Sequence, residues 1–193
     1  MAKLNFINQL ISYLNKTAPL VDRWFNESDE IRVFHPANGG WNINQILEHI
    51  SITSHYLLIL IEKGTRKSLN KLTQADLDAE LQNYTFHNPK LETIGKHLSF
   101  HWPRPDHMEP NGQKSLTEIR TSIKAQFNQC LGCLEKIPNG EGILHKTTMS
   151  VNDLGKIDVY QYIYFLGKHA ERHIEQMEKV KLEYLESKYL GTI

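Results

Sequence analysis

An all-α four-helix bundle is the fold this sequence predicts, and three observations predict it. Four stretches repeat apolar residues with a helical period, none sustains a period-two alternation, and one long connection separates the second stretch from the third. The first helix runs from about Leu4 to Phe25, with Leu4, Ile7, Leu10, Ile11, Leu14, Val21 and Phe25 on one stripe. Pro19 lies inside it, so a kink or break is expected near Thr17. The second helix follows Gly39-Gly40-Trp41-Asn42, where Asn42 caps free backbone N–H groups and Gln45 completes a capping box. It carries Ile46, Leu47, His49, Ile50, Leu57, Leu58 and Ile61 and is expected to stop before Gly64. Its latter half is apolar nearly all round, which makes it the central helix.

The connection from Thr65 to Lys114 is too long for a plain loop, and Leu72 to Tyr84 and Lys90 to Leu98 are expected to form short helices within it. Three prolines then break up Phe100 to Pro110, although Trp102 and Met108 favour burial. The third helix opens on the capping box Ser115-Leu-Thr-Glu118 and buries Ile119, Ile123, Phe127, Cys130, Leu131 and Leu134 before Pro138. Asn139 to Lys156 is glycine-bearing and expected to be irregular. The fourth helix begins near Asp158 and reaches about Lys188, with Tyr162, Leu166, His169, His173, Met177, Val180 and Tyr184 on its stripe. No repeat divides the chain, so residues 1–193 are read as a single domain.

Charge narrows the function classes. Lys plus Arg and Asp plus Glu both number 22, a balance that argues against a nucleic-acid partner or a polybasic membrane anchor. No apolar run is long enough to span a membrane, and two cysteines make no disulfide framework, so a cytoplasmic protein is expected. Cys130 and Cys133 have the spacing of a redox dithiol but sit mid-helix without a preceding strand, as small core residues do. The unusual count is ten histidines.

His169 and His173 stand four residues apart, about 40° around a helix and roughly 6 Å along it, so both imidazoles share one face. They lie on the stripe that otherwise holds apolar residues. Two interior histidines are either hydrogen-bonded core residues or ligands of one metal ion. The motif is not His-Glu-x-x-His, because Glu171 falls about 200° from His169 and faces solvent. Gln176 follows His173 by three and stays on the site face, where it can touch a substrate or a metal-bound water. His49, on the buried side of the second helix, is the best third ligand. Three neutral imidazoles leave coordination positions open, as catalytic sites do. They accept a divalent ion, zinc or nickel ahead of iron or manganese. A rival set, His97, His101 and His107, is dismantled by Pro103, which pushes the residue before it out of the helical region. Its segment can still fold over the mouth of the bundle and offer Trp102 and Arg104 to a substrate.

Gly40-Trp41-Asn-Ile-Asn-Gln-Ile-Leu-Glu-His49-Ile50 and Gly167-Lys-His169-Ala-Glu-Arg-His173-Ile174, in this order, resemble the DinB-like superfamily of bacterial metal-binding four-helix bundles. The resemblance implies a divalent metal held by one histidine of the second helix and a His-x-x-x-His pair of the fourth, which fall here on His49, His169 and His173. It includes thiol-dependent enzymes, and the fourth-helix octet is similar to that of bacillithiol S-transferases. Many of those carry an acidic residue three after the first histidine, where this chain has Ile52. The expected protein is a metal-dependent enzyme acting on a small molecule, with a low-molecular-weight thiol as co-substrate in S-transferase chemistry or water in hydrolase chemistry. The alternatives are a non-catalytic metal-binding or sensing bundle and a structural bundle with hydrogen-bonded core histidines. No general base is assigned. A homodimer would pair through exposed helix faces, although no patch is distinctive.

Overall fold

A computed structural model describes residues 5–100, 102 and 105–190. Four long helices form the bundle: α1 (Asn5–Asp22), α3 (Ile43–Lys71), α6 (Leu116–Lys136) and α7 (Val159–Leu190). α3 packs against both α6 and α7, and α1 packs against the same two, so α1 stands diagonally across from α3. Shorter helices fill the connections: α2 (Asp29–Val33), α4 (Leu77–Gln82) and α5 (Pro89–Ile94). The mostly helical bundle is the predicted fold class, with the long second-to-third crossover carrying its two extra helices.

Local chemistry sets the long helices. The Asn42 side chain accepts from the Gln45 N–H at 2.9 Å while Gln45 Oε1 accepts from the Asn42 N–H at 3.0 Å, so α3 starts where its capping box places it. Ser115 and Glu118 close the same reciprocal box on α6. Apolar stripes then meet in one core that includes Trp24, Tyr160 and Phe165, each no more than 1% exposed. Burying a side chain of that size contributes on the order of 2–3 kcal/mol.

Three expectations are corrected. α1 does not break near Thr17 but continues through Pro19 to Asp22. Pro19 lies in its last turn on the exposed side, so the missing N–H frees only the carbonyl of exposed Asn15, which water can satisfy. α3 does not stop before Gly64 but runs to Lys71. Gly64 is buried there, and a Cβ on it would meet Val159 Cγ2 at 2.9 Å, so the glycine provides close packing rather than a helix end. The stretch from Asn139 to Lys156 is not wholly irregular: β1 (Lys146–Met149) pairs antiparallel with β2 (Gly155–Asp158), Thr147 opposite Ile157. The hairpin tip docks on α5, where Asn152 Nδ2 donates to Thr93 Oγ1 at 2.8 Å and Lys90 Nζ donates to the Asp153 carbonyl at 2.9 Å.

Asp158 ends the hairpin and caps α7, its Oδ1 accepting from the Gln161 N–H at 3.0 Å. At 1% exposure its carboxyl is pushed up to about 6 by burial, which outweighs that hydrogen bond. Between its ordinary value near 3.8 and about 6, the folded chain holds a proton that the unfolded chain releases, so stability declines as pH rises through this window. Asp158→Asn keeps the capping acceptor and removes the charge. It is expected to abolish this decline and to stabilise the fold at pH 7.5 by up to about 3 kcal/mol. Unfolding curves of both proteins from pH 4 to 7.5 check this; equal slopes would refute it.

Candidate metal centre

The packing of α3 beside α7 brings His49 to face the His169–His173 pair. All three are buried, at 5%, 2% and 6% exposure. Ring centroids lie 4.5 Å apart for His169 and His173, and His49 stands 5.2 and 4.8 Å from them. One ring nitrogen from each lies within 4.8 Å of those of the other two. Among the described residues this is the group of His, Cys, Asp or Glu side chains that could hold a metal ion.

The outer nitrogens are oriented by acceptors. His49 Nδ1 donates to the Met108 carbonyl at 2.8 Å, and His173 Nδ1 donates to Gln176 Oε1 at 2.8 Å. A proton on each Nδ1 leaves both Nε2 atoms unprotonated inside the cluster, where the Thr53 hydroxyl lies 3.5 Å from that of His49. The Nε2 atoms of His169 and His173 are 3.1 Å apart, while buried His169 Nδ1 has no hydrogen-bond partner among the described residues. Burial, the neighbouring imidazoles and Arg172 together hold His169 and His173 well below the usual histidine range. Both are therefore neutral at pH 7, the form that ligates metal. Two nitrogens 3.1 Å apart subtend about 95° at an ion about 2.1 Å from each, so their spacing suits adjacent ligands of one centre.

Aromatic rings and one irregular segment cover the cluster. The Trp41 ring lies 4.7 Å from His49, and the half-buried Trp102 ring lies 5.5 Å from His169. The Arg172 guanidinium stands 5.2 Å from the Phe100 and Trp102 rings and donates to the Lys96 carbonyl. Glu175 Oε2 accepts from the His97 N–H at 2.8 Å, and Glu48 Oε2 accepts from the Gly112 N–H at 2.9 Å. Together with the His49–Met108 bond, these contacts strap the crossover over the histidines from α3 and α7.

Of the residues singled out for substrate contact, Trp102 lies at the site, Gln176 lies against His173, and Arg104 falls outside the described residues. Of the rival histidines, His97 and His107 do not gather. The His97 ring faces Lys179, the His107 ring packs on Tyr56 at 4.8 Å, and His101 falls outside the described residues. Glu171 points away from the site, accepting from the Tyr13 hydroxyl at 2.8 Å and pairing with Lys168 at 2.9 Å. Both thiols are free and buried, and burial pushes Cys130 up, as fits a small core residue. Sequence reasoning missed the Met108 carbonyl and the strapping roles of Glu48, Arg172 and Glu175. A backbone acceptor leaves no mark in residue type, whereas Arg172 and Glu175 flank His173 and could have been asked what they hold.

Gln176→Leu removes the acceptor that orients His173. It is expected to weaken metal affinity about 10–100-fold, measured by competition with a chelator, while the fold is retained. Unchanged affinity would show that Gln176 does not orient a ligand.

A model of the DinB superfamily matches residues 13–177, a span that contains all three histidines. No curated protein and no solved structure matches the chain.

Proposed function

Because this chain belongs to the DinB superfamily, we propose that it is a metal-dependent enzyme whose ion is held by His49, His169 and His173. The observation that carries this reading is the 3.1 Å approach of two buried imidazole nitrogens beside a third histidine. With the His173 proton on Nδ1, its Nε2 meets His169 Nε2 as a bare lone pair, an approach that a shared cation accounts for.

A bound divalent ion supplies Lewis acidity, which makes a thiol or water nucleophilic at neutral pH. Zinc or nickel suits three imidazoles best, with iron or manganese next. The chain contributes orientation and shelter. Met108 and Gln176 hold the protons of His49 and His173 on Nδ1, and Trp41 and Trp102 exclude water around the rings. Three acidic residues close to the histidines in sequence are committed elsewhere: Glu48 to Gly112, Glu171 to Tyr13 and Lys168, and Glu175 to His97 and Lys179. That arrangement favours chemistry driven by a Lewis acid over chemistry that needs a carboxylate base. The substrate is a small electrophile, attacked by a low-molecular-weight thiol in an S-transferase reaction or by water in hydrolysis.

The closed cover of the site favours one alternative, a metal-binding or sensing bundle without turnover. Tag-free protein loaded with zinc or nickel, incubated with a panel of thiols and electrophiles, separates the two. Turnover that disappears in His173→Ala supports the enzyme. Stoichiometric metal with no turnover across the panel favours the sensor.

A further inference from the structure

We propose that the hollow between the C-terminal half of α3 and the start of the hairpin binds a phosphate dianion carried on a small molecule. Lys63, Lys67 and Lys71 recur every fourth residue along one face of α3, and Lys146 opens β1 beside them. Leu60, Lys63, Lys67, His145, Lys146 and Thr147 line a hollow of about 280 Å³. Like charges four apart on a helix repel one another, so this arrangement is unfavourable until an anion joins it.

Some other lysines of the chain are ion-paired. Lys124 pairs with Asp22, Lys168 with Glu92 and Glu171, Lys179 with Glu175, and Lys181 with Glu27. Among the described residues, none of Lys63, Lys67, Lys71 and Lys146 has a carboxylate within 4.0 Å, in a chain whose acidic and basic residues balance at 22 each. Two neighbouring acidic groups do not fill the role. Glu62 lies toward Cys130 and Cys133 of α6, and Asp158, opposite Lys146 in the hairpin, is only 1% exposed.

The hollow is built rather than incidental. Gly64 lets the hairpin approach α3, since a Cβ there would meet Val159 Cγ2 at 2.9 Å and His145 Cδ2 at 3.5 Å. Lys71 Nζ donates to the Leu144 carbonyl at 2.7 Å and so pins the chain just before His145. His145 Nε2 and Thr147 Oγ1, 3.3 Å apart, add neutral hydrogen-bonding groups among the ammonium groups. Burial and the charges of Lys67, Lys71 and Lys63 lower the His145 pKa, in keeping with this placement. Several ammonium donors around one small hollow suit a dianionic oxyanion, and the volume suits a phosphate with a few carbon atoms. Lys63 follows His49 by fourteen residues on α3, about 21 Å along its axis, so this site is separate from the histidine cluster.

The test is titration of the zinc-loaded full chain with inorganic phosphate and with glycerol 3-phosphate at constant ionic strength, following the His145 ring signals by NMR. Both ligands are expected to shift these signals saturably. Lys63→Gln/Lys67→Gln is expected to weaken binding at least tenfold with the fold intact by its amide spectrum, whereas Lys124→Gln leaves it unchanged. His169→Ala is expected to keep the His145 response, which separates this site from any phosphate contact at the histidine cluster. A response matched by chloride, a non-saturable response, or full affinity in the double lysine variant would overturn the proposal.

Discussion

His169→Ala is expected to abolish the stabilisation that a divalent ion gives this protein while leaving the bundle folded. Metal at a hundred times its dissociation constant should stabilise the wild type by about 2.7 kcal/mol. The variant should gain less than a tenth of that, because His169 sits at the centre of the site. Its ring is 4.5 Å from His173, 5.2 Å from His49 and 5.5 Å from Trp102, measured between centroids. The metal-free variant should lose little stability, since the substitution also removes a buried nitrogen without a partner. Chemical denaturation with and without metal provides the comparison. Equal metal-induced gains in the two proteins would place the metal elsewhere.

Gly167→Ala is expected to destabilise the fold by roughly 2–3 kcal/mol, against the helix propensity at that position. In an open helix interior, alanine would stabilise relative to glycine by about 0.5–1 kcal/mol. Here a Cβ would meet Tyr13 Cε1 at 2.5 Å and Leu14 Cδ2 at 3.4 Å, where α1 crosses α7. The Tyr13 ring cannot simply swing aside. Its hydroxyl bonds Glu171 at 2.8 Å and the Lys168 ammonium lies 5.4 Å from its centroid. Lys168 in turn reaches Glu92 at 3.2 Å, so moving Tyr13 disturbs the tie between α5 and α7. Tyr13→Ala in the Gly167→Ala background should recover part of the loss by making room. A rise in midpoint on Gly167→Ala alone would show that propensity outweighs the contact.

The parts of this fold that were legible in the sequence are those specified within a few residues. The boxes at Asn42/Gln45 and Ser115/Glu118 are local, and the structure forms both. The His169–His173 juxtaposition follows from helical pitch alone, and α3 lies beside α7 as the apolar stripes imply. What escaped depends on partners distant in sequence. Gly64 reads as a helix end until Val159 is seen against it, and Pro19 reads as a break until its place in the exposed last turn is known. Strands of four residues, Lys146–Met149 and Gly155–Asp158, are too short and too polar to display alternation. At the site, residue type marked the histidines, but the acceptor for His49 is a backbone carbonyl that any residue at position 108 could supply. The convergence of the lysines around His145 needed the hairpin in place, because Lys146 is remote from Lys63 and Lys67 in the chain.

Metal content of the protein, purified without an affinity tag and measured by elemental mass spectrometry, tests the three-histidine centre most directly. About one equivalent of a divalent metal per chain is expected, falling below a tenth in His49→Ala, His169→Ala and His173→Ala alike. Wild-type protein that holds no metal after incubation with zinc, nickel, iron and manganese, or variants that keep a full equivalent, would contradict it.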